Sequence, residues 1–121
     1  MKCSLRLSVL VPGAGLGRLA HDIAKLGYHA EGNEFSYFML LMSDYIMNQC
    51  SPEKFGPDVI FPYIHQFSNV VTPEDQVRPV YFPDVEPGGL PESAGLSMVA
   101  GDFLEVYRPQ VCTTRFIIAF F

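Results

Sequence analysis

Along this chain the hydrophobic positions change their period several times, and each change marks an element. Leu5 to Val11 is an aliphatic run that stops at Pro12-Gly13, the pattern of a strand covered on both faces. From Leu16 to Leu26, residues Leu16, Leu19, Ala20, Ile23, Ala24 and Leu26 recur at helical spacing, and Gly27 stands where a helix C-cap belongs. Tyr28 to Glu34 then predicts a second strand. Ser36 to Asn48 predicts a second helix, with Phe38, Leu41, Met42, Tyr45 and Ile46 in helical register. Strand and helix alternating twice is the signature of a parallel sheet built by crossovers, so the chain reads as α/β.

The pattern then weakens. Ser51 to Gly95 holds eight of the ten prolines and few periodic runs, which predicts low regularity. Val77 to Phe82, flanked and interrupted by proline, reads as a short edge strand compatible with the outermost position of a doubly wound sheet. Arg115 to Phe121, RFIIAFF, is apolar throughout after its arginine, as a central doubly covered strand would be.

Composition narrows the class. With 121 residues and 49% hydrophobic content the chain can bury one core, and no linker or repeat divides residues 1–121 into more than a single unit. A net charge of −5 with only eight Lys and Arg argues against a nucleic-acid footprint. The expected partner is a small molecule or a protein. Cys3, Cys50 and Cys112 form neither a close pair nor a disulfide framework, which points to a reducing interior. The N-terminal run is interrupted by Arg6 and ended by Pro12, unlike a signal peptide, and no segment nears the ~20 apolar residues of a membrane span. His21, His29 and His65 show no metal-ligand spacing with Cys or Asp, so no metal is expected.

The sharpest local signal is Val9 to Gly17, VLVPGAGLG, with glycines at alternate positions between a strand and a helix. Gly13, Gly15 and Gly17 would let the backbone turn sharply and approach a ligand, with the first helical amides pointing at it. The bland alternative is a tight structural turn. A dinucleotide fingerprint needs a third glycine where Arg18 stands, which disfavours a nicotinamide cofactor. Glu34, at the end of the second strand, offers two acceptor oxygens and no donor, which suits a ribose diol. It also precedes the second helix, where a capping acid would sit. Ala100-Gly101-Asp102-Phe103 could place a carboxylate against an exocyclic amine and an aromatic face on a purine, though taken singly it is a turn sequence. His65, in YIHQFSN, is either a substrate-side residue or a histidine that holds its loop in shape.

Gly-x-Gly-x-Gly after a hydrophobic strand resembles motif I of the class I S-adenosylmethionine-dependent methyltransferases. The runs VLVPGAGLGRLA, LGYHAEGNEFSYFML, YIHQFSNV, VRPVYFPDVEP and SMVAGDF, in this order, are similar to the carnosine N-methyltransferase family from about Ser8 to Tyr107. Pro12, where most class I enzymes carry an acid, belongs to this narrower family. The resemblance implies a Rossmann-like doubly wound parallel sheet and a methyl transfer from S-adenosylmethionine to an imidazole nitrogen of carnosine or a related histidine-containing dipeptide, giving anserine. It implies that Gly13, Gly15, Gly17, Glu34, Asp102 and Phe103 contact the cofactor. Ala119 stands at a further contact position where the family commonly has Cys. It also implies a cytoplasmic setting, with the nucleus as a second, and a homodimer for the full-length enzymes, with neither nucleic acid nor membrane as partner.

The sequence departs from the family near its end. The aspartate that orients the imidazole belongs about two residues past Phe121, and Arg108 to Arg115 lacks the family's Trp-Asp. The catalytic residue is therefore not identified. The expectation is a partial domain, the cofactor-binding half, with its C-terminal strands missing and an apolar sheet edge that predicts poor solubility. The alternative is a non-catalytic module that binds the cofactor or another protein.

Overall fold

A computed structural model of the chain describes residues 8–50, 58–66 and 68–108 in full, and the backbone of residues 115–117. Its main sheet has four parallel strands in the order β5-β2-β1-β6, with β1 Ser8–Pro12, β2 His29–Glu34, β5 Gly95–Ala100 and β6 Arg115–Ile117. The helices are α1 Arg18–Lys25, α2 Tyr37–Asp44, a four-residue α3 Pro73–Gln76 and α4 Phe103–Tyr107. A second sheet pairs β3 Asp58–Ile60 antiparallel with β4 Val80–Phe82.

The core forms where the predicted patterns meet. Val9 and Val11 of β1 share one face by the two-residue alternation of a strand, and Ala30 sits beside Val9 in the register of β2. Against them α1 lays Ala20, Ile23 and Ala24, a stripe at the spacing of one helix face. The two alanines are fully buried, so the helix backbone lies close to the sheet. Leu10, on the opposite face of β1, is buried as well, which makes β1 a strand covered on both sides. Gly27 follows α1 with φ +91° and its N–H donates to the Ala24 carbonyl at 2.8 Å, the expected helix stop.

Two expectations need correction. Val77 to Phe82 does not add an outermost strand to the main sheet; only Val80–Phe82 is extended, and it pairs with β3 in the separate ribbon. Pro79 cannot donate to a ladder, which shortens the strand at that end. The outermost position belongs to β5, which pairs with all six residues of β2 from His29↔Gly95 to Glu34↔Ala100. The predicted helix Ser36 to Asn48 is two pieces, since α2 gives way at Tyr45–Gln49 to a π-helical turn closed by the Cys50 N–H on the Tyr45 carbonyl at 2.9 Å. Cys3, Cys112 and most of the terminal run Arg115 to Phe121 lie outside the fully described residues.

Candidate functional site

The C-terminal ends of β1, β2 and β5 lie side by side, and the loops that leave them carry the predicted residues. In an open parallel sheet this is the edge where ligands bind. The loop after β1 turns through Gly13, Gly15 and Gly17, each with positive φ (+66°, +57° and +87°). Side-chain-bearing residues are strained there. At Gly13 and Gly15 a Cβ would meet nothing within 4 Å, so these glycines are demanded by backbone shape and face open space. Gly17 ends the loop as the N-cap of α1.

The loop also rests on β2. At Gly32 a Cβ would lie 2.8 Å from the Ala14 Cβ and 2.5 Å from the Met98 sulfur, closer than real contacts, so the absent side chain is what lets the loop settle on the strand. The Ala14 N–H donates to the Asn33 carbonyl at 3.0 Å and the Gly17 N–H to the Ala14 carbonyl at 2.9 Å. The amides of Ala14, Gly15 and Gly17 are thus engaged within the protein.

The Gly15 amide goes to Glu34. Its Oε2 accepts from the Gly15 N–H at 2.8 Å, while Oε1 accepts from the Phe35 and Ser36 N–H groups, each at 2.8 Å. Those donors, the Ser36 amide foremost, hold the Glu34 carboxyl below the usual carboxylate range, partly opposed by desolvation. Glu34 thus binds the two residues that lead into α2, while no side chain caps the first turn of that helix. A carboxylate offers about four acceptor positions. Three are occupied, which leaves Oε2 with one to give to a hydroxyl.

Asp102 sits at the start of α4, where Oδ1 caps the helix by accepting from the Leu104 and Glu105 N–H groups at 2.8 and 3.3 Å. Oδ2 has no partner among the described residues. Phe103 stacks at a tilt on Tyr107, with ring centroids 5.2 Å apart. A cavity of about 540 Å³ opens between the loops, lined by Phe35, Ser36, Tyr37 and Phe38 on one side and by Gly101, Asp102 and Glu105 on the other. Its volume is that of a small-molecule site. Phe103 and Glu34 are neighbours in sequence of its wall but do not line it.

The residue that the sequence reading passed over is Asn33. It is 3% exposed, and its amide nitrogen donates to the Val99 and Gly101 carbonyls at 3.2 and 3.0 Å. The Gly101 N–H returns to the Glu34 carbonyl at 3.1 Å. An asparagine inside the predicted strand, directly before its terminal carboxylate, was the available signal, since such a residue is buried only when its amide is satisfied.

Arg18, the residue that breaks the dinucleotide fingerprint, turns away from the loop. It bridges Asp22 at 3.0 Å and Asp84 in the segment after β4, and the guanidinium holds the Asp84 carboxyl below its ordinary range. His21 is buried beside it and donates from Nε2 to the Pro87 carbonyl at 3.2 Å. His65 is exposed in the turn after β3, on the second sheet. Ala119 lies outside the described residues. No cluster of three metal-ligating side chains and no helix long and apolar enough to cross a membrane occurs among the described residues.

The family model described as carnosine N-methyltransferase matches residues 2–121. The carnosine N-methyltransferase of Rattus norvegicus is 52% identical over 115 residues, 94% of this chain and 28% of the relative. That of Schizosaccharomyces pombe is 54% identical over 106 residues, covering 87% and 28%. That of Drosophila melanogaster is 52% identical over 102 residues, covering 84% and 22%. The chain thus spans about a quarter of the length of these curated relatives.

Proposed function

The chain belongs to the carnosine N-methyltransferase family, and from that premise we propose that its described edge is the S-adenosylmethionine-binding part of an enzyme that methylates the imidazole of carnosine to anserine. The finer fold follows the same reading: a Rossmann-like, doubly wound sheet of the class I type, with residues 1–121 as a single partial domain. One observation carries the proposal. The Glu34 carboxylate is shared between the glycine loop and the start of α2, and the Asp102 loop is tied to the same strand end. A ribose acid, a close-approach loop and a base-side carboxylate are thereby one connected unit.

The residues fit the group. Gly13 and Gly15 leave open space beside the backbone, Glu34 Oε2 retains one acceptor position for a ribose hydroxyl, and Asp102 Oδ2 can accept from an adenine amine. Phe35 and Phe38, which line the cavity, supply aromatic surface for the purine. When bound, S-adenosylmethionine supplies an electrophilic methyl group. The work of these residues is to bind and orient, which can contribute most of what alignment offers to a transfer between two competent reactants. Carnosine enters as a neutral imidazole near its unperturbed pKa.

Calorimetry with S-adenosylmethionine and S-adenosylhomocysteine tests the binding reading, and labelled methyl transfer to carnosine tests the reaction. Both nucleosides should give heat. Glu34→Gln should weaken them by roughly ten- to a hundredfold, the worth of one hydrogen bond to a charged group. Absence of heat with either compound on folded protein would remove the proposal.

A further inference from the structure

Two carbonyls at the end of β5 receive their hydrogen bonds from one side chain. The parallel ladder between β2 and β5 finishes at Glu34↔Ala100, and Gly101 turns the backbone away with φ +136°. One main-chain bond reaches past that point, the Gly101 N–H on the Glu34 carbonyl at 3.1 Å, and the Asn33 amide adds a side-chain tie: its two N–H donors go to Val99 O, inside the ladder, and to Gly101 O, just past it. Asp102 follows directly, with one oxygen fixed by capping α4. The position of its free oxygen is therefore set by Asn33 through a single intervening peptide. Glu34 is held differently. Its carboxylate takes the amides of Gly15, Phe35 and Ser36, and none of these touches the Asn33 side chain.

We propose that Asn33 is a positioning residue that sets the base-recognising edge of the site independently of its ribose-recognising edge. The inference rests on the nucleoside reading above and adds a separable control within it. Replacing the amide by an apolar side chain removes this side-chain donor from the Val99 and Gly101 carbonyls and leaves the Asp102 turn held to β2 by the Gly101 N–H bond to the Glu34 carbonyl, while the Glu34 carboxylate bonds stay in place. A merely structural residue would instead weaken every ligand contact together.

The test compares adenosine, purine riboside, which lacks the exocyclic amine, and 2′-deoxyadenosine, binding to the chain and to its Asn33→Leu and Asn33→Ser variants. In the unaltered chain each analogue should bind about tenfold more weakly than adenosine, the effect of one lost charge-assisted hydrogen bond. In the variants the amine preference should fall within about twofold while the 2′-hydroxyl preference persists. Equal loss of both preferences, or retention of both, overturns the proposal. If the unaltered chain binds none of the three, the nucleoside reading fails and takes this inference with it. Should the variants not fold, the Asn33 side-chain amide can be followed by nitrogen-proton NMR in the unaltered chain. Adenosine and 2′-deoxyadenosine should shift its resonances and purine riboside should not; an equal response to all three rejects the role.

Discussion

α1 and α2 are each eight residues long and each follows a strand of the same sheet, yet they use their hydrophobic residues in opposite ways. In α1, RLAHDIAK, the apolar residues are few and point one way, and Ala20, Ile23 and Ala24 are buried against β1 and β2. In α2, YFMLLMSD, nearly every residue is apolar, but the buried one is Ser43, at 1% exposure. Phe38 and Leu41 stand 82% and 67% exposed among the described residues. Direction, not amount, decides what a helix buries: a stripe has one solution, whereas a helix apolar all round has none of its own. What orients α2 is local. Ser43 is small enough to approach the glycine loop, its Oγ lying 3.4 Å from where a Gly17 Cβ would be, and the Met47 methyl fills the rest of that contact.

The comparison can be broken most forcefully by placing one amide in α1. Ile23→Gln should lose about 2 kcal/mol of apolar burial and leave an unpaired buried amide costing about 1–3 kcal/mol more. That is a large fraction of the stability of a small domain. A shift in the urea midpoint equivalent to less than about 1 kcal/mol would mean that α1 is not the packing element described here.

A smaller effect tests the join between the two units, where Glu34 ties the α1 loop to the start of α2. Three N–H donors favour its ionised form, so the folded carboxyl titrates below its unfolded value of about 4.3. The stabilisation is then complete above that value and is lost as pH falls through the depressed folded one. Glu34→Gln should remove this component: the stability gap between the two proteins is expected to be constant at neutral pH and to close on acidification. A gap independent of pH would show that the carboxylate charge plays no part in joining the units.

How much of this was legible in the sequence follows from the range of the interactions. β1, α1 and β2 were readable because their patterns are local and agree with what they pack on. The glycine loop and Glu34 were readable for the same reason, since loop, strand end and helix start are contiguous signals. β5 was not, because Gly95-Leu96-Ser97-Met98-Val99-Ala100 has no decisive period and becomes a strand through its register with β2. Val80–Phe82 was assigned to the wrong sheet because its partner, Asp58–Ile60, is a three-residue strand amid prolines. Glu34 and Asp102 were seen as ligands for a nucleoside, but the amides that hold the Glu34 carboxylate, the capping of α4 by Asp102 and the Asn33 bonds to Val99 and Gly101 exist only in the folded arrangement.

The smallest effect is the most informative about α2. Leu41→Gln makes on α2 the same kind of apolar-to-amide change as Ile23→Gln makes on α1, and leucine and glutamine have nearly equal helix propensity. Isoleucine is a slightly poorer helix former than glutamine, so propensity can only soften the cost at Ile23, and the two substitutions differ mainly in environment. Leu41 is 67% exposed against 8% for Ile23, so the new amide stays hydrated and little apolar area is lost. The expected change is within about 0.5 kcal/mol. Thermal unfolding at several protein concentrations would measure it, because a cost that grows with concentration means that the outer face of α2 is covered in solution by another copy. A cost above about 1 kcal/mol without concentration dependence would mean that this face packs within the chain itself. Either result would erase the contrast with α1 and make the apolar surplus of α2 an ordinary buried face.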